Sequence, residues 1–156
     1  MYDFEMNGNR EHEHGYGFNF SDFEAGCDAA GAPITAEDMD RLLAAAPKLR
    51  KEYVECLGHD LTIEDYRDYS ALGLSDIFAT AVCEAENLTR IVADNASDDF
   101  EDDQCVLFAQ GIPWKLSERE RNIQPDEIEA IFRKHLGILK PGVLESGVSI
   151  FRMEEF

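Results

Sequence analysis

The spacing of the apolar residues changes along the chain, and this change constrains the fold more than any other feature. In residues 1–24 apolar and polar residues alternate, which is typical of half-buried strands. Residues 35–87 carry apolar residues three or four positions apart, which is helical spacing. Residues 88–156 combine β-rich runs with a further helical pattern. Because strands and helices come in runs, we predict an α+β fold: an antiparallel sheet of about five strands with a small bundle of three to four helices packed on it.

The N-terminal alternation predicts a β-hairpin within residues 1–24. Two sets of alternating apolar residues mark its strands: Tyr2, Phe4 and Met6 in the first, and Tyr16, Phe18 and Phe20 in the second. The sequence Asn7-Gly8-Asn9 between the two sets is a turn signal. Residues 24–34 are rich in Gly and Ala, and we expect them to form a connection.

Capping residues divide residues 35–87 into separate helices. Thr35 is placed to cap a first helix, with Asp38 three residues later in the position of a capping-box partner. Pro47 interrupts the pattern that follows, so either the helix kinks there or a second helix begins at the proline. Thr62 and Ser75 are placed to cap the next two helices.

The C-terminal third of the chain predicts three strands. Residues 88–93 and 105–109 are rich in β-formers and predict an antiparallel hairpin with a long loop. Residues 148–153 predict a last strand.

Two helices are predicted between this hairpin and the last strand. Ser117 and Glu120 form a capping box for a brief first helix. Pro125 suits the first position of the second helix, and Gly137 is expected to end it. His135 lies on the apolar face of that second helix, so we expect a cationic or hydrogen-bonded structural histidine.

Charge is the second strong constraint. The 156 residues include 33 acidic and 14 basic side chains, which gives a formal net charge of −19. A surface this negative excludes non-specific binding to nucleic acid and to anionic membranes through the bulk of the protein. The sequence shows no secretory signal and no apolar run long enough to span a membrane, so we expect a cytoplasmic protein.

The length fits one domain. We expect residues 1–156 to form a single domain, with an N-terminal hairpin (1–24), a helical part (35–87) and a hairpin-helix-strand part (88–156).

The negative charge is densest in residues 94–103, which we call the acidic segment. Six of its ten residues are acidic, and no Lys or Arg occurs between Arg90 and Lys115. A solvated hairpin loop explains this density, and so does a surface that meets a positive partner. We predict that the partner-binding residues are Asp94, Asp98, Asp99, Glu101, Asp102 and Asp103.

These features predict a small acidic protein-interaction module that binds a basic protein surface. In its sharpest form it mimics nucleic acid and inhibits a nucleic-acid-binding enzyme, as anti-restriction and anti-CRISPR proteins of phages and mobile elements do. Duplex DNA carries one negative charge per about 1.7 Å, so eighteen charges at that density span about 31 Å. A domain of this length has a diameter of roughly 35–40 Å, so one face could carry a DNA-like charge density.

Two alternatives remain open. His12 and His14 would face the same side of a strand and are flanked by Glu11 and Glu13, which suits a small metal-binding protein or an enzyme of unknown type. The aromatic residues of the N-terminus suit a structural or oligomeric module, such as a homodimer.

No sequence motif points to catalysis. The chain has no G-x-S-x-G, S-x-x-K, P-loop or G-x-G-x-x-G motif, so we predict no enzyme, no catalytic residue and no cofactor. The acidic segment also lacks the Gly and Glu that a calcium-binding EF-hand loop needs at its sixth and twelfth positions.

The four cysteines form no C-x-x-C pair, which argues against a zinc or redox motif. Cys27 lies in the Gly- and Ala-rich connection. Cys56, Cys83 and Cys105 lie within apolar patterns, and we expect three buried, reduced thiols there.

Overall fold

The computed structural model describes residues 15–57, 62–68, 72–89, 91–95, 104–109, 115–141 and 151–153. It combines helices with an antiparallel sheet, which confirms the α+β class. The described elements in chain order are β1 (Gly15–Asn19), α1 (Phe20–Ala29), α2 (Ala36–Leu43), α3 (Pro47–Leu57), α4 (Ile63–Asp68), α5 (Gly73–Glu86), β2 (Ile91–Asn95), β3 (Gln104–Ala109), α6 (Glu118–Asn122), α7 (Pro125–Leu139) and β4 (Phe151–Met153).

The described strands form one antiparallel sheet in the order β2-β3-β1-β4. Three strands have five or six residues, and the edge strand β4 has three residues. The sheet therefore has fewer strands among the described residues than the sequence predicts, and the helices are more numerous. The first predicted strand lies outside the described residues, and the additional helices include α1, which covers part of the predicted connection.

β1 occupies the centre of the sheet. Its residues Gly15–Asn19 pair with β3, and Gly15–Gly17 also pair with β4 on the other side. These three residues thus have a neighbouring strand on both edges. The first strand of the predicted N-terminal hairpin, Tyr2 to Met6, lies outside the described residues.

The alternating pattern of the N-terminal region ends earlier than predicted, because Phe20 begins α1. Asn19 caps this helix, since its side chain accepts a hydrogen bond of 3.0 Å from the backbone N–H of Asp22. Phe20, Phe23 and Cys27 are buried along one side of the helix. The expectation of an irregular connection over residues 24–34 is therefore wrong for the part that α1 covers.

Gly17 is required by a close approach within the sheet. A Cβ at this position would lie 2.5 Å from the Leu107 side chain and 2.5 Å from the Val106 carbonyl oxygen of β3. Because the carbonyl belongs to the backbone, a larger residue would displace β3 rather than one side chain.

The predicted helix starts are confirmed for α2 and α4. Thr35 and Asp38 form a capping box, in which the Asp38 N–H donates to Thr35 Oγ1 at 3.2 Å and the Thr35 N–H donates to Asp38 Oδ2 at 2.9 Å. Thr62 and Asp65 repeat the arrangement at α4.

Pro47 begins a second helix. α2 ends at Leu43 and α3 starts at the proline, which confirms that alternative over a kink. The N–H groups of Lys48 and Leu49 donate to the carboxylate of Glu84 in α5, at 2.8 and 3.0 Å, which fastens the start of α3 to α5.

The C-terminal part follows the prediction except at one strand and one helix end, because β2 covers residues 91–95 rather than the predicted 88–93. β2 and β3 form the expected antiparallel hairpin, Ser117 and Glu120 form the expected capping box, and α7 begins at Pro125. Gly137 does not end α7, which continues to Leu139. Arg41 of α2 caps this extension, because its Nε and Nη2 donate to the carbonyls of Ile138 and Leu139 at 2.9 and 3.1 Å. Residues 151–153 of the last predicted strand form β4, and residues 148–150 lie outside the described part.

The core lies between the sheet and the helices. Phe18 of β1 is its centre, with its ring 5.7 Å from that of Phe78 in α5 and 5.3 Å from that of Phe132 in α7. Edge-to-face rings of this kind pack α5 and α7 against the central strand. No helix within the described part of the chain is long and apolar enough to cross a membrane.

Candidate functional site

The acidic segment runs from the end of β2 to the residue before β3. Of its six acidic residues the structure describes Asp94, which is exposed in β2 and pairs with Cys105 of β3. The other five, Asp98, Asp99, Glu101, Asp102 and Asp103, lie outside the described residues. Their role in partner binding stays a prediction.

Gln104, the first residue after the acidic segment, joins three elements. Its backbone N–H donates to Ser21 Oγ in the first turn of α1, at 3.0 Å. Its side-chain Oε1 lies 3.2 Å from Ser75 Oγ in the first turn of α5. The starts of α1 and α5 are therefore fixed beside the end of the acidic segment.

Ser75 is part of this junction rather than a helix cap, so that prediction is wrong. α5 already begins at Gly73, whose φ of +57° turns the chain into the helix two residues earlier. Ser75 is fully buried, and its hydroxyl donates to the Leu72 carbonyl at 2.6 Å.

Three described aspartates are next to residues of the junction in the sequence or in the sheet. Asp22 follows Ser21 in α1, and Asp76 follows Ser75 in α5. Asp94 pairs with Cys105, the residue after Gln104, and Cys105 pairs on its other side with Asn19. Asp22 and Asp94 are exposed and Asp76 is partly exposed. We call Asp22, Asp76 and the acidic segment together the acidic pole.

The acidic pole has no basic residue on the elements that build it. The sequences of β1, α1, α5, β2 and β3 contain no Lys or Arg. Within the described residues, no Lys or Arg forms an ion pair with Asp22 or Asp76. Within the described residues, the negative charges of Asp22 and Asp76 are therefore not paired with a basic side chain.

Three other carboxylates are buried or partly buried and closely paired. Among the described Asp and Glu residues, Asp38, Glu86 and Glu120 have lowered pKa values, and we call them the clasp carboxylates. Asp38 is 5 % exposed and accepts hydrogen bonds from Lys140 Nζ at 2.6 Å and from Arg41. Burial raises the pKa of Asp38, but these bonds and those from Thr35 outweigh it and hold the pKa below its usual value.

Glu86 joins the end of α5 to α6 and α7. Its Oε2 accepts a hydrogen bond from Lys134 Nζ at 3.0 Å and lies 2.8 Å from His135 Nε2, while Arg119 Nη2 lies 3.6 Å from Oε1. Burial raises the pKa of Glu86. The bonds with His135 and Lys134 lower this pKa by more than burial raises it, so it lies below the usual value.

His135 is the hydrogen-bonded structural histidine that its position on α7 predicts. Its ring is 1 % exposed and contacts Glu86 through Nε2. Its Nδ1 is buried and has no hydrogen-bond partner within the described residues.

Glu120 fastens α6 to the turn before β2. It is 1 % exposed, and its carboxylate accepts hydrogen bonds from the Thr89 N–H at 2.6 Å, the Thr89 hydroxyl at 2.8 Å and the Ser117 N–H at 3.2 Å. Burial raises the pKa of Glu120, but these bonds outweigh it, so the pKa is lowered.

The candidate metal ligands His12 and His14 lie outside the described residues. No group of three or more His, Cys, Asp or Glu side chains that could hold a metal ion occurs in the part of the chain that the structure describes.

The cysteines differ from the prediction at one position. Cys27 and Cys105 are buried and Cys83 is partly buried, but Cys56 is exposed on α3, so its predicted burial is wrong. Burial raises the pKa of the Cys27 thiol to about 11, which keeps it protonated and unreactive.

The junction around Gln104 was not predicted from the sequence. Asp22 and Asp76 gave a local signal, since both are acidic residues at a helix start. The contact between Ser21 and Gln104 joins residues 83 positions apart and left no pattern in the sequence.

Comparison of the chain with protein-family models, curated proteins and solved structures found no match.

Proposed function

We propose that the protein is an acidic interaction module that binds a basic surface of another protein through the acidic pole. The observation that carries the proposal is that α1, α5 and β2 carry the described aspartates of the pole, and that none of the five elements that build it contains Lys or Arg. Negative charge on elements without basic residues attracts a partner of the opposite sign.

The contrast with the rest of the chain supports a role for this charge beyond solubility. Away from the pole, several carboxylates take part in close ion pairs, as Asp38 does with Lys140 and Glu86 with Lys134. At the pole the sequence places five further acids between Asp94 and Gln104. Crowded like charges raise the energy of the folded state, so selection for stability alone does not favour them.

The anchoring of the pole supports specific binding. Asp94 lies in β2, and Gln104, the residue after the acidic segment, is held by Ser21 of α1 and contacts Ser75 of α5. Asp22, Asp76 and Asp94 thus stand on helices and a strand, and charges held in place before binding lose less conformational entropy when the partner docks.

The most specific version of the proposed function is mimicry of nucleic acid. A basic groove that binds duplex DNA is adapted to about one negative charge per 1.7 Å. The acidic pole carries eight acidic side chains, which match that density over about 14 Å. The partner would then be a nucleic-acid-binding enzyme, and the protein would inhibit it by occupying the groove.

Capture of partners at two salt concentrations tests the proposal. The full-length tagged protein is used as bait in a bacterial lysate at about 50 mM and about 300 mM salt, because binding through many charge contacts falls steeply between these concentrations. We expect a nucleic-acid-binding protein to be captured at low salt, released at high salt and displaced by added duplex DNA. Capture of no such protein, or of one that salt and DNA do not displace, would contradict mimicry.

A second bait locates the contact on the molecule. It carries Asp98→Asn, Asp99→Asn, Glu101→Gln, Asp102→Asn and Asp103→Asn together. We expect this bait to keep its thermal unfolding transition and to lose the partner. If it folds and retains the partner at the wild-type level, the acidic segment is not the contact surface.

A further inference from the structure

We draw no further inference here: the strongest candidate, the outer edge of β2 with the half-exposed Val92 beside the acidic pole, carries nothing because the described residues do not show what covers that edge.

Discussion

The acidic pole and the clasp carboxylates contain the same types of side chain, Asp and Glu, in opposite environments. At the pole, Asp22 and Asp94 are exposed and stand on elements without a basic residue. In the clasps, Asp38 and Glu120 are almost completely buried and accept several hydrogen bonds each.

The comparison shows that net charge alone says little about what an acidic residue does. A clasp carboxylate stabilises the fold through the groups it faces, and its loss leaves those groups unpaired. A carboxylate of the acidic segment has mainly other carboxylates near it in the sequence, so its loss removes repulsion. The predictions below separate the two classes, beginning with the largest effect.

Asp38→Asn should have the largest effect on stability. Neutralising Asp38 leaves Lys140, whose side chain is 13 % exposed, without its ionised partner. We expect the free energy of unfolding at pH 7 to fall by about 3 kcal/mol, measured by urea denaturation. Asp22→Asn is the matched control, because it also changes an aspartate in the first turn of a helix, and it should change stability by less than about 0.5 kcal/mol. Equal effects of the two substitutions would remove the distinction between clasp and pole.

Glu120→Gln should have the next largest effect. The amide retains the shape of the side chain. It replaces one of the two charged oxygens that accept hydrogen bonds from Thr89 and Ser117 with an NH2 group, which cannot accept them. We expect a loss of about 2 kcal/mol in urea denaturation. The exposed neighbour Glu118, in the same first turn of α6, provides the control Glu118→Gln. A loss below about 0.5 kcal/mol for Glu120→Gln would mean that this carboxylate does not fasten α6.

Acid should weaken the clasps. Their pKa values are lower in the folded chain than in the unfolded chain, so their stabilisation is complete above the unfolded values near 4 and is lost as the pH falls through the folded values. We expect the melting temperature to fall between about pH 5 and pH 3, and to fall less steeply for Asp38→Asn. Thermal unfolding followed by circular dichroism measures both slopes. Parallel slopes for the wild type and the variant would show that Asp38 does not contribute to the acid sensitivity.

Neutralising the pole should have the smallest effect on stability. The triple variant Asp22→Asn, Asp76→Asn, Asp94→Asn removes three negative charges from one end of the sheet. The variant removes no ion pair of Asp22 or Asp76 among the described residues, and the repulsion it relieves is offset by the lost interaction of these two carboxylates with their helix starts. We therefore expect the free energy of unfolding to stay within about 1 kcal/mol of wild type. A loss above about 2 kcal/mol would assign these aspartates a structural role.

Local sequence signals predicted much of the fold. Thr35, Thr62 and Ser117 cap helices as expected, because a capping box depends only on residues three positions apart. The hairpin of β2 and β3 was also predictable, since both runs of β-formers lie close together in the chain.

The failures lie where distant contacts decide the structure. α7 continues beyond Gly137 because Arg41, about one hundred positions earlier, caps the last carbonyl groups of the helix. α1 was missed because Phe20 continues the alternating pattern of β1, although Phe20, Phe23 and Cys27 also have the spacing of a helix.

The candidate site likewise has a part that the sequence predicts and a part that it does not. The charge of the acidic segment is evident from the sequence, because it is a local property of composition. The folded structure places Asp22 and Asp76 beside the acidic segment, because Gln104 contacts both α1 and α5. These contacts join residues far apart in the chain and are not evident from the sequence.

The most direct test of the account compares two variants of equal net charge as baits for partner capture. The pole variant carries the three substitutions at Asp22, Asp76 and Asp94. The control variant carries Glu52→Gln, Glu118→Gln and Asp126→Asn, three exposed acids on α3, α6 and α7. Both change the net charge from −19 to −16, since each removes three negative charges from the wild-type value.

If the acidic pole is the binding surface, the control variant retains the partner at about 50 mM salt and the pole variant binds it about tenfold more weakly, as expected when three exposed charge contacts are lost. If both variants lose the partner equally, overall charge and not its position governs binding. That result would contradict the central claim.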